Sequence, residues 1–514
     1  MANDLPQWKQ KGFYGGFSDD RFLGIVNSFR YAKGIEIRKN PRSMTLAYAV
    51  DKNSGTVVTD LIMAMVTIKS TGDIIAFGDT GKIYRKTAGA GNWINCYTQP
   101  SNLKILNAIE YNTNLYWFTA SKMHRIPVAE IDDTWAGSAG LSVDYKTFAN
   151  ANANAHPSIE LNNKLYVGDG YFLAELDSLM TWTDDKVEIF HDEEIRALTY
   201  GGAMMRIFSR RSDKVDGGHK YYWDGTSPTY SERVWINQVI HAAINCGSGN
   251  TYMSGAGGGD YVIAGRRPYL YNSVGYEWQK LKRIPLVFDD ENCYLSPNSL
   301  DYFDDLLAIG FAEAGDASIG RGVWTFGQED YKYPMSLNFD YPTSNDNSTD
   351  IIGCVHSSNG VLYFSWKKTT VGTPNTYSYG IDIVNTAKYR ATGDLHSLVF
   401  LGEEADEQKG AMGIKMAFDN LYPGEGINVY LRKDLAANWE SSVELSASYA
   451  YTPDEGVTYP DRAVVDKRKD IALDIGDFNF LETKIILTAG TSQLTTPEVI
   501  EVSVLFDPDV ETGD

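Results

Sequence analysis

Between residues 72 and 364 one pattern of polar and apolar positions keeps returning: turn-forming residues, an apolar or aromatic pair, then a short alternating run. Its clear copies are Asn112-Thr-Asn-Leu-Tyr-Trp117, Asn162-Asn-Lys-Leu-Tyr-Val167 and Ser358-Asn-Gly-Val-Leu-Tyr-Phe364. Looser copies are Gly72-Asp-Ile-Ile-Ala-Phe77, Gly201-Gly-Ala-Met-Met-Arg-Ile-Phe208, Asp260-Tyr-Val-Ile-Ala264 and Phe303-Asp-Asp-Leu-Leu-Ala-Ile309. With Ile75, Leu115, Leu165, Met205, Tyr261, Leu306 and Leu362 as landmarks, successive copies lie 40 to 56 residues apart. Asn, Asp and Gly tolerate the positive φ of a tight turn, so each copy predicts a hairpin whose second strand is apolar.

Another apolar segment precedes several copies, as in Ile105-Leu-Asn-Ala-Ile109 and Ile351-Ile-Gly-Cys-Val355. A third strand follows, and some ten residues later a tryptophan: Ile83-Tyr84 then Trp93, Tyr171-Phe-Leu173 then Trp182, Tyr269-Leu-Tyr271 then Trp278, with Trp135 and Trp324 in comparable places. A unit of this length and strand count fits one four-stranded propeller blade, with the tryptophan packed between neighbours. The fold class is therefore all-β: a multi-bladed β-propeller of about seven blades, six or eight remaining open, followed by a C-terminal β-sandwich.

The repeat sets three expected segments. Residues 1–54 form an N-terminal arm and closing strand; the arm either closes the ring or docks on a neighbouring subunit. Residues 55–395 form the propeller, and 396–514 a separate sandwich with longer alternating strands. In Ile427-Asn-Val-Tyr-Leu-Arg432, residues 427, 429 and 431 point one way and 428, 430 and 432 the other. Ile471-Ala-Leu-Asp-Ile475, Lys484-Ile-Ile-Leu-Thr488 and Val499-Ile-Glu-Val-Ser-Val-Leu-Phe506 read similarly.

Composition sharpens this picture. Tyrosine (33) and glycine (47) are abundant in the 514 residues, as suits pleated surfaces joined by many turns. The formal net charge of −21, spread along the chain without a basic run, argues against binding nucleic acid, sequence-specific or not. No apolar stretch approaches the ~20 residues of a bilayer span, so no membrane insertion is expected. The opening MANDLPQWKQKGF has no apolar h-region, so cytoplasmic synthesis without secretion is expected. Cys96, Cys246, Cys293 and Cys354 are far apart and read as buried free thiols.

Signatures of chemistry are sparse. GxSxG, HExxH and GxxxxGK[ST] are absent, and Gly255-Ala-Gly-Gly-Gly259 reads as a loop, not a phosphate cradle. A retaining sialidase needs an arginine triad, a tyrosine nucleophile and an aspartic acid. Arg210-Arg211 and Arg266-Arg267 supply guanidinium groups, but the repeated Asp-box of that family is missing. His191-Asp-Glu-Glu194 reads as a solvated run. Asp169, Asp301, Asp304, Asp305, Asp346 and Asp350 fall in turns without the DxDxDG spacing of a calcium loop. Tyr221-Tyr-Trp223 reads as core packing before it reads as a sugar platform. No catalytic residue, cofactor or metal ligand is assigned.

The two ends of the chain resemble virion proteins of tailed bacteriophages. Gly15-Gly-Phe-Ser-Asp-Asp-Arg-Phe22 is similar to the opening of propeller-type tail proteins. Gly424-Glu-Gly-Ile-Asn-Val-Tyr-Leu-Arg432 running to Trp439, with Phe480-Leu-Glu-Thr-Lys-Ile-Ile-Leu487 and Thr496-Pro-Glu-Val-Ile-Glu-Val-Ser-Val504, is similar to a sandwich of tail and nozzle proteins. The resemblance implies a non-enzymatic tail component: a nozzle, tube extension or tail tip, located in the virion after assembly in the host cytoplasm. It implies homo-oligomeric rings, commonly sixfold, and contacts with other tail or adaptor proteins. The acidic charge is consistent with a conduit that does not hold passing DNA during ejection. Two other readings stand beside it: a propeller adhesin binding a host surface glycan or receptor, and a sialidase-like glycosidase.

Overall fold

The computed structural model describes residues 7–13, 15–18, 22, 27–38, 42–89, 91–150, 153–201, 204–211, 217–245, 259–265, 268–274, 277–284, 293–313, 321–327, 335–345, 350–401, 409–419, 421–434, 446–450, 468–472, 477–478 and 480–507. Among the described residues, seven blade-like sheets succeed one another along the chain. The first runs Ile62–Thr67, Ile74–Gly78, Lys82–Lys86 and Ile94–Thr98, each strand antiparallel to the next. Four more repeat that order, starting at Asn107–Tyr111, Ser158–Leu161, Glu193–Gly201 and Ile240–Asn245. In the sixth, Cys293–Tyr294 and Leu300–Phe303 both pair with Leu306–Glu313, and Gly322–Gly327 and Ser336–Pro342 follow. The seventh contains Asp350–Ser358, Val361–Thr370 and Thr376–Tyr389, and takes its fourth strand, Tyr48–Lys52, from early in the chain.

All seven landmarks read from the sequence lie on the second strand of a blade, one per blade. The turns that precede them follow the expected chemistry. Asn112 and Thr113 (φ 43° and 61°), Asn162 and Asn163 (52° and 57°), Asp304 and Asp305 (51° and 61°), and Asn359 and Gly360 (51° and 74°) are two-residue loops with both residues left-handed. That backbone matches the right-handed twist of the strands on either side, which explains why Asn and Asp recur there.

By contacts the chain divides into two units. One comprises 51–323 and 343–383; the other comprises 1–50, 324–342 and 384–514. In the first unit, the innermost strands touch in a closed cycle from blade one through blade seven and back, so the sheets form a ring. Between blades lie apolar clusters that the second and third strands of each blade feed. Phe77, Ile83, Trp117, Ile126 and Trp135 fill the seam of blades one and two. Tyr166, Leu173, Ile207, Tyr221 and Trp223 fill that of three and four. Trp93 closes the seam of blades seven and one beside Cys354 and Ile381. Trp182 and Trp278 are half-buried in the corresponding seams of blades two–three and four–five. Cys96 and Cys354 are buried free thiols; Cys246 and the Cys293 side chain lie outside the described residues.

The second unit is a sandwich built from both ends of the chain. One sheet has the order Gln7–Lys11, Val499–Asp507, Lys409–Phe418, Arg468–Ala472. The other runs Gly16–Phe17, Ser28–Lys33, Thr392–Ser397, Phe480–Thr488, Gly426–Lys433, Ser446–Ala450. Ile427, Val429 and Leu431 are fully buried between the sheets with Phe13, Phe29, Ile485 and Val504, as the alternation predicts.

Three features differ from the sequence reading. The N-terminal arm supplies strands to both sandwich sheets, so the sandwich is not confined to 396–514. Residues 324–342 cluster with the sandwich because Ser336–Pro342, an outer blade strand, is buried against Gly16–Phe17 and Ser28–Lys33. Trp324 is not an inter-blade tryptophan. It sits on Gly322–Gly327, stacked on Phe339 at 4.9 Å and edge-on to Phe17 at 6.2 Å.

Candidate functional site

The innermost strands of blades one, four and five carry an irregularity in their pairing. The pairing of first and second strands shifts register between Ile62 and Ala64, between Ile195 and Ala197, and between Ile240 and Ala242. A residue set in such a bulge is turned away from the regular alternation. Met63, Arg196 and His241 occupy these positions. Met63 and Arg196 line a cavity of about 450 Å³, together with Leu103, Lys104, Leu106, Thr119–Ser121, Ala153, Asn154, Arg210, Leu295 and Pro297. Leu295 and Pro297 belong to a turn that reaches across to other blades. Asn298 Nδ2 donates to the carbonyl oxygens of Met63 (2.8 Å) and Leu106 (3.3 Å), and its own carbonyl accepts from Val355 N–H at 3.0 Å.

Electrostatically the cavity departs from the rest of the chain. Among the described residues its lining holds Lys104, Arg196 and Arg210 and no carboxylate. Glu194, buried behind them, braces both guanidiniums: its Oε2 accepts from Arg210 Nη2 at 3.1 Å and Nε at 3.3 Å, and Arg196 Nη1 lies 3.6 Å away. Its Oε1 accepts Asn154 N–H at 2.8 Å. His241 donates from Nε2 to Gly265 O at 2.9 Å. Burial pushes its pKa down, and the two neighbouring arginines add to that depression.

A second cavity, of about 460 Å³, lies where the same inner strands end, lined by Thr67, Lys69, Glu110, Glu160 and His356–Asn359 among others. Thr67 Oγ1 contacts His356 Nε2 at 2.8 Å and Ser358 Oγ at 2.8 Å. His356 Nδ1 is 3.6 Å from Asp301, beyond hydrogen-bond length. That carboxylate instead accepts from the backbone N–H groups of Ser357 (2.7 Å) and Tyr302 (2.8 Å). The hydroxyl–imidazole pair lacks the third, orienting contact that would make a nucleophile.

The residues singled out in the sequence are scattered. Arg210 reaches the first cavity, whereas Arg211 pairs with Asp192 at 2.8 Å. Arg266, Arg267, Asp346, Trp439, Asp19–Arg21 and residues 255–258 of the glycine loop lie outside the described residues. Tyr221 and Trp223 are fully buried, and Tyr221 OH donates to Glu193 at 2.7 Å. The run His191–Glu194 is only half solvated. His191 is exposed beside Glu188, but Glu193 and Glu194 are buried because an innermost strand is covered on both faces. Asp304 and Asp305 form a turn, and among the described residues no three His, Cys, Asp or Glu side chains converge on a metal position. The cavity arginine at 196 was missed. Its signal was present in the repeated Ile62-Met63-Ala64, Ile195-Arg196-Ala197 and Ile240-His241-Ala242, where the middle residue varies freely.

Asp169 is almost wholly buried where the second strand of blade three ends, and its Oδ2 accepts Asn150 N–H at 2.8 Å. Burial pushes its pKa up to about 7. A carboxyl raised in the fold binds its proton more tightly there than in the unfolded chain. Its contribution is therefore fully present below pH 4 and is lost as pH rises towards 7. Asp169→Asn removes the buried charge, so it is expected to be neutral near pH 4 and stabilising by about 2–4 kcal/mol at pH 8. Urea unfolding at the two pH values checks this; an equal effect at both would refute it.

No protein-family model and no curated protein matches this chain. Solved structures do align with it. The extracellular domain of a hybrid two component system from B. thetaiotaomicron aligns over 73% of this chain and 44% of its own, at 11% identity and a TM-score of 0.43. Raptor from Chaetomium thermophilum aligns over 66% of this chain and 30% of its own, at 10% identity and 0.45. The computationally designed Ika8 protein aligns over 65% and 99%, at 7% and 0.36. This chain spans less than half the length of the first two. Likenesses of this order carry no functional argument.

Proposed function

We propose that this chain is a structural component of a bacteriophage tail, a nozzle, tube extension or tip, that works through ring assembly and neighbour contacts and not through catalysis. The observation that carries the reading is the resemblance of its terminal phrases to tail proteins. Those phrases fall on strands Gly426–Lys433, Phe480–Thr488 and Val499–Asp507, which form the sandwich core. The polar groups at the ring axis support it as well. Glu194, Asn298 and Asp301 are bound to structural partners and do not converge on a reacting position. Negative-stain electron microscopy and sedimentation of the purified protein test the reading. Closed rings, six subunits in the simplest case, are expected at micromolar concentration. A strictly monomeric protein that is also absent from purified phage particles would overturn it.

A further inference from the structure

We propose that the axial cavity lined by Arg196 and Arg210 is a binding site for a carboxylate carried on a small, partly apolar molecule. The inference stands apart from the tail reading and does not need it. Among the described residues three cations and no acid line the cavity, with the buried Glu194 against two of them, in a chain whose net charge is −21. A chain of that net charge disfavours a free anion on average, so a cationic recess stands out as a place for one.

The site is built rather than incidental. Arg196 projects inward from the register shift in its strand, and Glu194 holds Arg196 and Arg210 side by side from behind. Each guanidinium presents a planar fork that suits a carboxylate. Burial lowers the pKa of His241, and the two arginines lower it further. The lining also includes Met63, Leu103, Leu106, Leu295 and Pro297, apolar surface that a bare inorganic ion would leave unused. The volume of about 450 Å³ suits a molecule of one ring or a short chain.

Isothermal titration calorimetry on the full chain tests this with three probes. Galacturonate represents an acidic sugar, hexanoate an aliphatic acid, and inorganic phosphate an anion without an apolar body. Saturable binding of galacturonate or hexanoate is expected, tighter than phosphate and weakened by added salt. Whichever of the two binds identifies the source of the carboxylate. Arg210→Gln and Lys104→Glu are each expected to weaken binding about tenfold or more. Lys104 is exposed, so its variant keeps the fold and remains informative if Arg210→Gln disturbs Glu194. The proposal fails if neither carboxylate saturates below about 10 mM, if phosphate binds as tightly, or if Lys104→Glu leaves the affinity unchanged.

Discussion

Trp117→Ala is expected to destabilise the propeller by about 3–5 kcal/mol, the range found when a fully buried aromatic is truncated. Trp117 sits in the seam of blades one and two with no exposed surface. It stacks on His124 at 5.4 Å, tilts against Trp135 at 5.8 Å, and faces Phe77 at 6.4 Å from the next blade. Its Nε1 donates to Gln99 Oε1 at 3.1 Å. Gln99 and His124 are themselves buried, so the truncation removes packing from both sheets and strands a polar partner. The seam is also one link of a closed ring, which has no spare edge to absorb the loss. Trp235, nearly half exposed on the outer strand of blade four, is the control. Trp235→Ala is expected to cost less than about 1 kcal/mol. Denaturant midpoints for the two variants check the contrast. Equal effects would mean that the inter-blade seams do not hold the ring.

What could be read from the sequence was what local chemistry writes. A two-residue turn needs two left-handed residues, so Asn162-Asn163 and Asp304-Asp305 announced their hairpins, and the landmarks after them fell one to a blade. The alternation of Ile427, Val429 and Leu431 likewise announced a half-covered strand. What stayed hidden depends on distant partners. Gln7 pairs with Leu505, and nothing within Gln7–Lys11 specifies an edge at the other end of the chain. The axis-facing Arg196 was hidden for a different reason: a bulge breaks the period of two on which strand reading relies. Glu193 and Glu194 were read as solvated because charged runs usually are, whereas here both faces of the strand are covered and each acid has its own partners.

Arg38 shows the same blindness with a larger consequence. In sequence it belongs to the N-terminal arm; in the structure it is buried, and its Nη2 donates to Asp340, 302 residues away. It also donates to Thr325 O at 3.3 Å and lies 3.6 Å from Glu36. Asp340 is fully buried and further held by Asn338 Nδ2 at 2.5 Å and by the Thr325 hydroxyl. Burial pushes the Asp340 carboxyl up and Glu36 adds to that; the Arg38 guanidinium opposes both. Arg38→Met keeps the length of the side chain but leaves two carboxylates facing each other out of water. Removing one partner of a buried pair costs about 3–5 kcal/mol, whereas replacing both is often near neutral. Arg38→Met alone is therefore expected to lower the Tm of the sandwich unit by roughly 6–20 °C. Arg38→Met with Asp340→Asn should recover most of it, since the amide oxygen still accepts from Asn338 while the amide NH2 can donate to the Thr325 hydroxyl. The single variant should also lose less at pH 5 than at pH 8, because without the guanidinium Asp340 takes up a proton as pH falls and sheds the unpaired charge. A double variant no more stable than the single one, or a single variant indifferent to pH, would mean that the Arg38–Asp340 pair does not hold the arm in place.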